Sequence, residues 1–390
     1  MRRLLRPAIA VAVAALALRV DPMLGVAAGL AVWAVASWWL PARSLETVQV
    51  IKHHPARVFH GERVEIRYEV RSRRRIPWVS MVDVMPFDLG GSVRWVTDVT
   101  RNGSVHHAVE LDATRRGLHR LGPTVLTSGD TFAGRSVQGP THPSTTLLVY
   151  PRLVPMDKLG LDARALEQLR ATHRPLPPDP TRVVGVRDYA PGDALRSIHW
   201  TATARLGALQ TKRLQPGSAR AVLMAVDLTW AHHPAPGRRR SVELSVTAAA
   251  SIAHHLVTTG REAVAMRLWC TDEPSREAGL VRAPLGRGVD HLSGLLEYLA
   301  RAQPVRTRPA DRIEGLLEPT ELPFGAAVVL FTGLVGESHI APLDRLRRLG
   351  YAVSVVSTAG DRHQSTWSPM LESMGIPVSG VSRYEEMALL

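Results

Sequence analysis

Between residues 47 and 150 the chain reads as short runs of apolar and polar side chains broken by turn residues, and the run Arg63-Val64-Glu65-Ile66-Arg67-Tyr68-Glu69-Val70 alternates polar and apolar throughout. A period of two sends alternate side chains to opposite faces, so this run predicts a strand with one wet and one dry face. Further runs predict strands over 47–51, 78–84, 93–99, 104–111 and 145–150, separated by turn residues. Together they predict a β-sandwich of immunoglobulin-like character. Past residue 218 the rhythm changes. Residues 219–226 read as a buried strand, 241–259 as an amphipathic helix stopped by Gly260, and 263–270 as another strand. That order repeats as 326–331, a helix over 338–349 stopped by Gly350, and 351–357. Two β-α-β units predict a doubly wound, parallel sheet.

At the N-terminus no charge interrupts residues 23–40, and at about 1.5 Å per residue such a helix spans about 27 Å, the depth of a hydrocarbon core. Asp21 and Pro22 mark its start, and Trp33, Trp38 and Trp39 weight its far end as an interfacial belt would. Residues 7–18 are shorter and alanine-rich, but Arg6 and Arg19 can snorkel outward, so a first spanning helix and a transmembrane helical hairpin are expected. The rival reading takes residues 7–18 as the core of a signal peptide. Arg2, Arg3 and Arg6 precede the hairpin and Arg43, Lys52 and Arg57 follow it, which predicts a multi-pass protein of the cell membrane with its soluble domains in the cytoplasm. The predicted organisation is therefore a hairpin over 1–46, a β-sandwich over 47–155, a connector over 156–218 and an α/β domain over 219–390. Pro175, Pro177, Pro178 and Pro180 make the first part of that connector extended.

Composition narrows the chemistry. Lys and Arg outnumber Asp and Glu by 48 to 35, a net charge of +13 that favours anionic partners, with the inner membrane leaflet as the simplest. Arg71 to Arg75 supply a basic patch between two strands, without the interleaved aromatics of a nucleic-acid reader, so nucleic acid is not the expected partner. The single cysteine, Cys270, stands in an apolar run beside Trp269 and is expected to be a buried thiol. No phosphate loop, nucleophile elbow or dinucleotide fingerprint is present, and Gly286-Arg287-Gly288 lacks a recognisable preceding strand. No small-molecule substrate is identified.

The most distinctive segment is Arg187-Asp188-Tyr189-Ala190-Pro191-Gly192-Asp193, followed by Arg196, His199-Trp200 and Ala204-Arg205. Pro191-Gly192 suits the centre of a type II turn, and Asp193 then stands where a helix N-cap belongs. The segment resembles the signature of the domain of unknown function 58 family. Arg116 to Pro123 and Leu148 to Arg152 also resemble that family's wording, in the expected order. Two stretches depart from it: Gly129 to Gly134, in place of an Asp-Pro-Phe-Gly turn, and Gln215 to Ser218, where an acidic residue is usual. The resemblance implies a bacterial, membrane-anchored protein with a von Willebrand factor A-like C-terminal domain. It further implies work with a MoxR-type AAA+ ATPase, often beside a transglutaminase-like membrane protein, in assembly, chaperone or envelope-related tasks.

In von Willebrand factor A domains a strand ends in Asp-x-Ser-x-Ser to hold a divalent cation. The equivalent here is Asp227-Leu228-Thr229-Trp230-Ala231, in which Ala231 lacks an oxygen, and the later strand ends in Thr332-Gly333 without an acid. His232, His233 and Arg238 to Arg240 add positive potential beyond Asp227, so neither a metal nor another cofactor is expected. Four adjacent histidine pairs, His53-His54, His106-His107, His232-His233 and His254-His255, are expected to be solvated or singly packed, because neighbours in regular structure diverge. Asp193, Ser197 and His199 invite a triad, but two of them share one short helix. Arg187, Tyr189, Gly192, Asp193, Arg196, Trp200 and Arg205 are the candidate residues for a structural clasp or for partner binding, with Tyr189 and Trp200 expected to pack beneath the ion pairs. The functional expectation is a non-enzymatic, membrane-anchored interaction or scaffold protein. The alternative is a metal-dependent enzyme or metal-gated adhesion module using Asp227 and Thr229.

Overall fold

The computed structural model describes residues 25–26, 29, 43–129, 136–159, 183–214, 221–273, 275–306, 312–359 and 367–381, and the chain divides into two compact units, Met1–Tyr150 and Pro151–Leu390. Among the described residues no helix is long and apolar enough to cross a membrane. That finding overturns the fold class as expected: the protein is mostly β-sheet with some helices, and the transmembrane hairpin is not supported. Of that hairpin only residues 25, 26, 29 and 43–46 are described; its other positions, like the proline connector and most of both departures from the family wording, lie outside the described residues.

The first unit is built from β1 (Val48–His53), β2 (Arg57–Phe59), β3 (Arg63–Ser72), β4 (Ile76–Asp83), β5 (Val93–Val99), β6 (Gly103–Asp112), β7 (Gly117–Leu121), β8 (Thr124–Gly129), β9 (Ser136–Gln138) and β10 (Thr145–Tyr150). Three sheets result, with orders β1-β3-β6, β2-β10-β7 and β5-β4-β8-β9. The alternation read in β3 has its expected effect: Val64, Ile66, Tyr68 and Val70 are buried and most of the intervening residues face water. Val70 packs with Ile76, Val79, Met81 and Leu126 of the four-stranded sheet. Val64, Ile66 and Tyr68 pack with Val58, Leu121, Leu147 and Val149 of the β2-β10-β7 sheet. The strands that the sequence did not reveal, β2 and β7 to β9, are three to six residues long.

A charge sits inside this sandwich. Asp83, fully buried at the end of β4, accepts from Lys52 Nζ of β1 at 2.7 Å, from Thr124 Oγ1 of β8 at 2.7 Å and from Tyr68 OH of β3 at 2.6 Å. Burial and the neighbouring carboxylate both push the Tyr68 hydroxyl far above the ordinary phenol range, so it stays a donor.

The second unit begins with β11 (Val183–Asp188), α1 (Trp200–Leu206) and β12 (Gln210–Leu214). Then come β13 (Ala221–Asp227), α2 (Arg238–Thr258), β14 (Ala263–Asp272), β15 (Ala278–Gly286), α3 (Val289–Arg301), β16 (Ala302–Gln303) and α4 (Arg312–Leu316). The described part ends with β17 (Ala327–Thr332), α5 (Glu337–Arg348), β18 (Ala352–Ser357), α6 (Ser368–Ser373) and β19 (Val378–Gly380). Seven strands form one sheet in the order β15-β14-β13-β17-β18-β19, with β16 paired to β14. The five from β14 to β19 along that path run parallel, and β15 and β16 run antiparallel to β14. β13 and β17 are buried at every position, which is why both read as unbroken apolar runs rather than alternating ones. A strand, β15, does precede Gly286-Arg287-Gly288, but being antiparallel it delivers that turn to the end of the sheet opposite the parallel strands' C-termini. Cys270 is a buried free thiol, as expected.

Chain order returns across β13, whose neighbours are β14 on one side and β17 on the other. Such a reversal opens a crevice at the C-terminal ends of the central strands, here at Asp227 and Thr332.

In the sandwich, Asp83→Ala leaves the Lys52 ammonium buried without its partner. A loss of about 3–5 kcal/mol in urea unfolding of the intact chain is expected, and a loss under about 1 kcal/mol would show that water reaches this site.

Candidate functional site

Two places in the second unit carry polar side chains in built arrangements. One is the crevice. Asp227, fully buried, is the last residue of β13, and its Oδ1 accepts the Thr229 N–H at 2.9 Å, folding the chain back over the strand tip. Its Oδ2 accepts from His232 Nδ1 at 2.5 Å and from His339 Nε2 at 3.2 Å, with Thr332 Oγ1 at 3.4 Å. His339 comes from the first turn of α5, where the Gly336 N–H donates to its Nδ1 at 3.0 Å. That bond leaves the His339 proton on Nε2, aimed at the carboxylate. The two rings meet edge to face, 4.6 Å apart.

Burial by itself would raise the Asp227 pKa, yet the hydrogen bonds from His232 and His339 more than offset this and hold it well below the ordinary carboxylate range. His232 is opposed by its own partial burial, but its bond to the Asp227 carboxylate raises it above the usual imidazole value. Its neighbour behaves otherwise. His233 is turned inward, donating from Nε2 to the Asp227 carbonyl at 3.3 Å and accepting at Nδ1 from Ser241 Oγ at 2.8 Å, and burial depresses it to about 4. The histidine pair is thus neither solvated nor merely packed. Trp230 to His232 form a 3-10 turn, so the divergence expected of neighbours in a strand or helix does not govern where His232 points. The other pairs fit the expectation better: His54 bonds Thr145, and His107 stacks on Trp95.

Thr229 contributes its backbone N–H, not its hydroxyl, to Asp227. The donors that converge on the carboxylate are His232 and His339, and sequence reading missed the second entirely. Its one signal was position, seven residues beyond the tip of β17.

The second place is the signature segment. Ala190 to Asp193 form the expected turn: the Asp193 N–H donates to the Ala190 carbonyl at 3.0 Å, and Gly192 takes φ +105°. Asp193 is not a helix cap. Its Oδ1 accepts from Arg187 Nη2 at 2.6 Å, while Oδ2 accepts the Ala190 N–H at 3.0 Å and faces Thr211 Oγ1 at 3.2 Å. The cap of α1 is His199, whose Nδ1 accepts from the Ala202 N–H at 3.1 Å. Ser197 Oγ is spent on the Ala194 carbonyl, so Asp193, Ser197 and His199 make no triad. Tyr189 is half-buried and its N–H donates to the Leu209 carbonyl at 2.9 Å. Arg196 and Arg205 are exposed and stand outside the Arg187–Asp193 pair, and Trp200 lies out in water rather than beneath it. The reason is local: α1 lasts seven residues and buries none of them.

Residues 185–362 match the family described as protein of unknown function DUF58. The DUF58 match takes in both places, from Arg187 to His339, while the likenesses around Arg116 and Leu148 fall outside it. No curated protein matches the chain. Among solved structures, the CARDB domain of the PF1109 protein from Pyrococcus furiosus aligns with 26% of this chain and 86% of its own at 12% identity and a TM-score of 0.20. The C-terminal domain of wzt aligns with 28% and 77% at 12% identity and 0.24. A non-cellulosomal cohesin from Archaeoglobus fulgidus aligns with 26% and 91% at 14% identity and 0.20. At such scores these likenesses carry no argument.

The Asp193 carboxyl is held at about 2, first by its hydrogen bond from Arg187 and then by that from Ala190. Its folded value is depressed, so the turn's electrostatic support is present above the ordinary aspartate range and is lost as pH falls toward 2. Arg187→Gln is expected to move this titration upward toward the ordinary range, as read by NMR of the side-chain carboxyl carbon. An unchanged midpoint would show that Arg187 does not hold the carboxylate.

Proposed function

We propose that this protein is a non-enzymatic recognition module that docks an acidic segment of a partner onto residues 183–214, the partner being a MoxR-type AAA+ ATPase as the family resemblance implies. The observation that carries this reading is the exposure of Leu195, Trp200 and Leu206, at 73%, 67% and 60%, within a segment held in a fixed shape by polar bonds. Large apolar side chains left exposed on a segment of defined shape mark a binding site more often than a solvated loop does. Arg196, Arg205 and Arg213 of the same segment are also exposed, and arginine together with aromatic side chains is the composition from which binding hot spots are built. Their charge selects a partner with carboxylates at its rim.

The parallel sheet with one antiparallel edge beyond β14 supports a von Willebrand factor A-like reading of the second unit. In that reading the unit is a rigid stage for recognition, and the ATPase supplies any energy for remodelling the client in assembly, chaperone or envelope-related work. The enzyme or adhesion alternative built on Asp227 and Thr229 is weakened because the Thr229 hydroxyl does not reach Asp227 and Ala231 has none to offer.

Trp200→Ala and Leu195→Ala are each expected to weaken binding of the ATPase to the full chain by about tenfold or more, at unchanged circular dichroism, since an anchor of this kind contributes about 2 kcal/mol. Isothermal titration calorimetry would measure it, and equal affinity of both variants and wild type would sink the proposal.

A further inference from the structure

We propose that Asp227, His232 and His339 bind one divalent transition-metal ion, with zinc the ion best suited to the donors. This goes beyond the docking function and does not depend on it. One carboxylate oxygen and two imidazole nitrogens lie within 4.8 Å of one another, brought together from a strand end, the turn after it and the start of α5. The His339 Nε2 to Asp227 Oδ2 separation of 3.2 Å already matches two ligands on a shared tetrahedral ion, which stand roughly 3.3 Å apart when each bond is about 2.0 Å. His232 Nδ1, at 2.5 Å from the same oxygen, has to withdraw by less than about 1 Å, and it is the ligand on a turn rather than on a strand or helix.

Two imidazoles and one carboxylate select zinc or its transition-metal neighbours over magnesium or calcium, which take oxygen ligands. Three protein ligands leave a fourth position, and His232, whose side chain is 21% exposed, lies on the side from which an ion and a water enter. The outer bonds that orient a metal-bound imidazole are also in place. Loading His339 at Nε2 moves its proton to Nδ1, where the Gly336 carbonyl lies 3.3 Å away to accept it, and the bond from the Gly336 N–H is given up in exchange. His232 likewise presents a bare Nδ1 once its proton has gone to Nε2 or to water. Asp227 keeps the Thr229 N–H on Oδ1 and frees Oδ2 for the ion.

The test is a cobalt(II) titration of the full, untagged, metal-stripped chain, followed by visible absorption. Bands of four-coordinate cobalt saturating at one equivalent, abolished by zinc and untouched by millimolar magnesium, are expected. His232→Gln changes a part-exposed position and keeps the chain folded by circular dichroism; it should weaken cobalt binding by more than about 100-fold, beyond the usual cost of losing an outer-sphere partner alone. Absence of saturable bands in the wild type would overturn the proposal. So would wild-type affinity in His232→Gln, which would assign the binding to other histidines, or displacement of cobalt by magnesium. His339→Gln, where it folds, should match His232→Gln.

Discussion

A carboxylate with no exposure at the tip of the central strand dictates how the second unit closes. Ionised and unpartnered in that position, Asp227 would cost several kcal/mol, so the chain has to bring donors to it. They come from both sides of the topological reversal. Thr229 and His232 lie on the loop after β13, Thr332 ends β17 and His339 lies in the first turn of α5, so one side chain ties together two stretches that are far apart in sequence. The backbones must approach closely for this to work. The Leu334 N–H donates to the His232 carbonyl at 2.6 Å, and a Cβ on Gly333 would fall 2.5 Å from that same oxygen and 2.6 Å from His233 Nδ1. Glycine is required there by space, not by dihedral angle. Beneath the carboxylate, His233 extends the polar layer through Ser241 to Thr358 and Ser245, fixing the start of α2 against the end of β18.

Much of the fold was legible because it is written in long-range periodicity. The alternation of β3 and the apolar runs of β13 and β17 describe opposite environments, one face wet in the first case and both faces covered in the second. Less was legible where an element is too short to carry a period, as in β9, or where its direction depends on a partner, as in antiparallel β15. At the N-terminus an apolar run with its cap, tryptophan and arginine signals predicted a spanning hairpin, but no helix among the described residues is long and apolar enough to cross a membrane.

The site was legible only in part, for two physical reasons. His339 lies 112 residues from Asp227, and only the winding of the sheet makes them neighbours. His232 was visible, but an argument from regular geometry excluded it, and the chain there is a 3-10 turn in which that geometry fails. Asp193 was misassigned for a related reason. Its spacing from Pro191-Gly192 fits a cap, but the carboxylate turns back to Ala190 and Arg187, leaving His199 to cap the helix. Side chains of one motif compete for the same donors, and sequence spacing does not rank the competitors.

The signature segment and the crevice solve opposite problems. Around Asp227 polar groups are buried and every one must find a partner, so the arrangement is closed. In residues 183–214 the bonds that set the shape are also polar, Arg187 to Asp193 and Gln210 to Asp188, but apolar side chains remain outside. Ile198 is the buried hydrophobe among the described residues of that segment. A hairpin with so little core of its own gains nothing in stability from Leu195, Trp200 and Leu206, whose exposure to water is unfavourable in the isolated chain. The docking we propose would account for their presence on a surface shaped by an ion-paired turn.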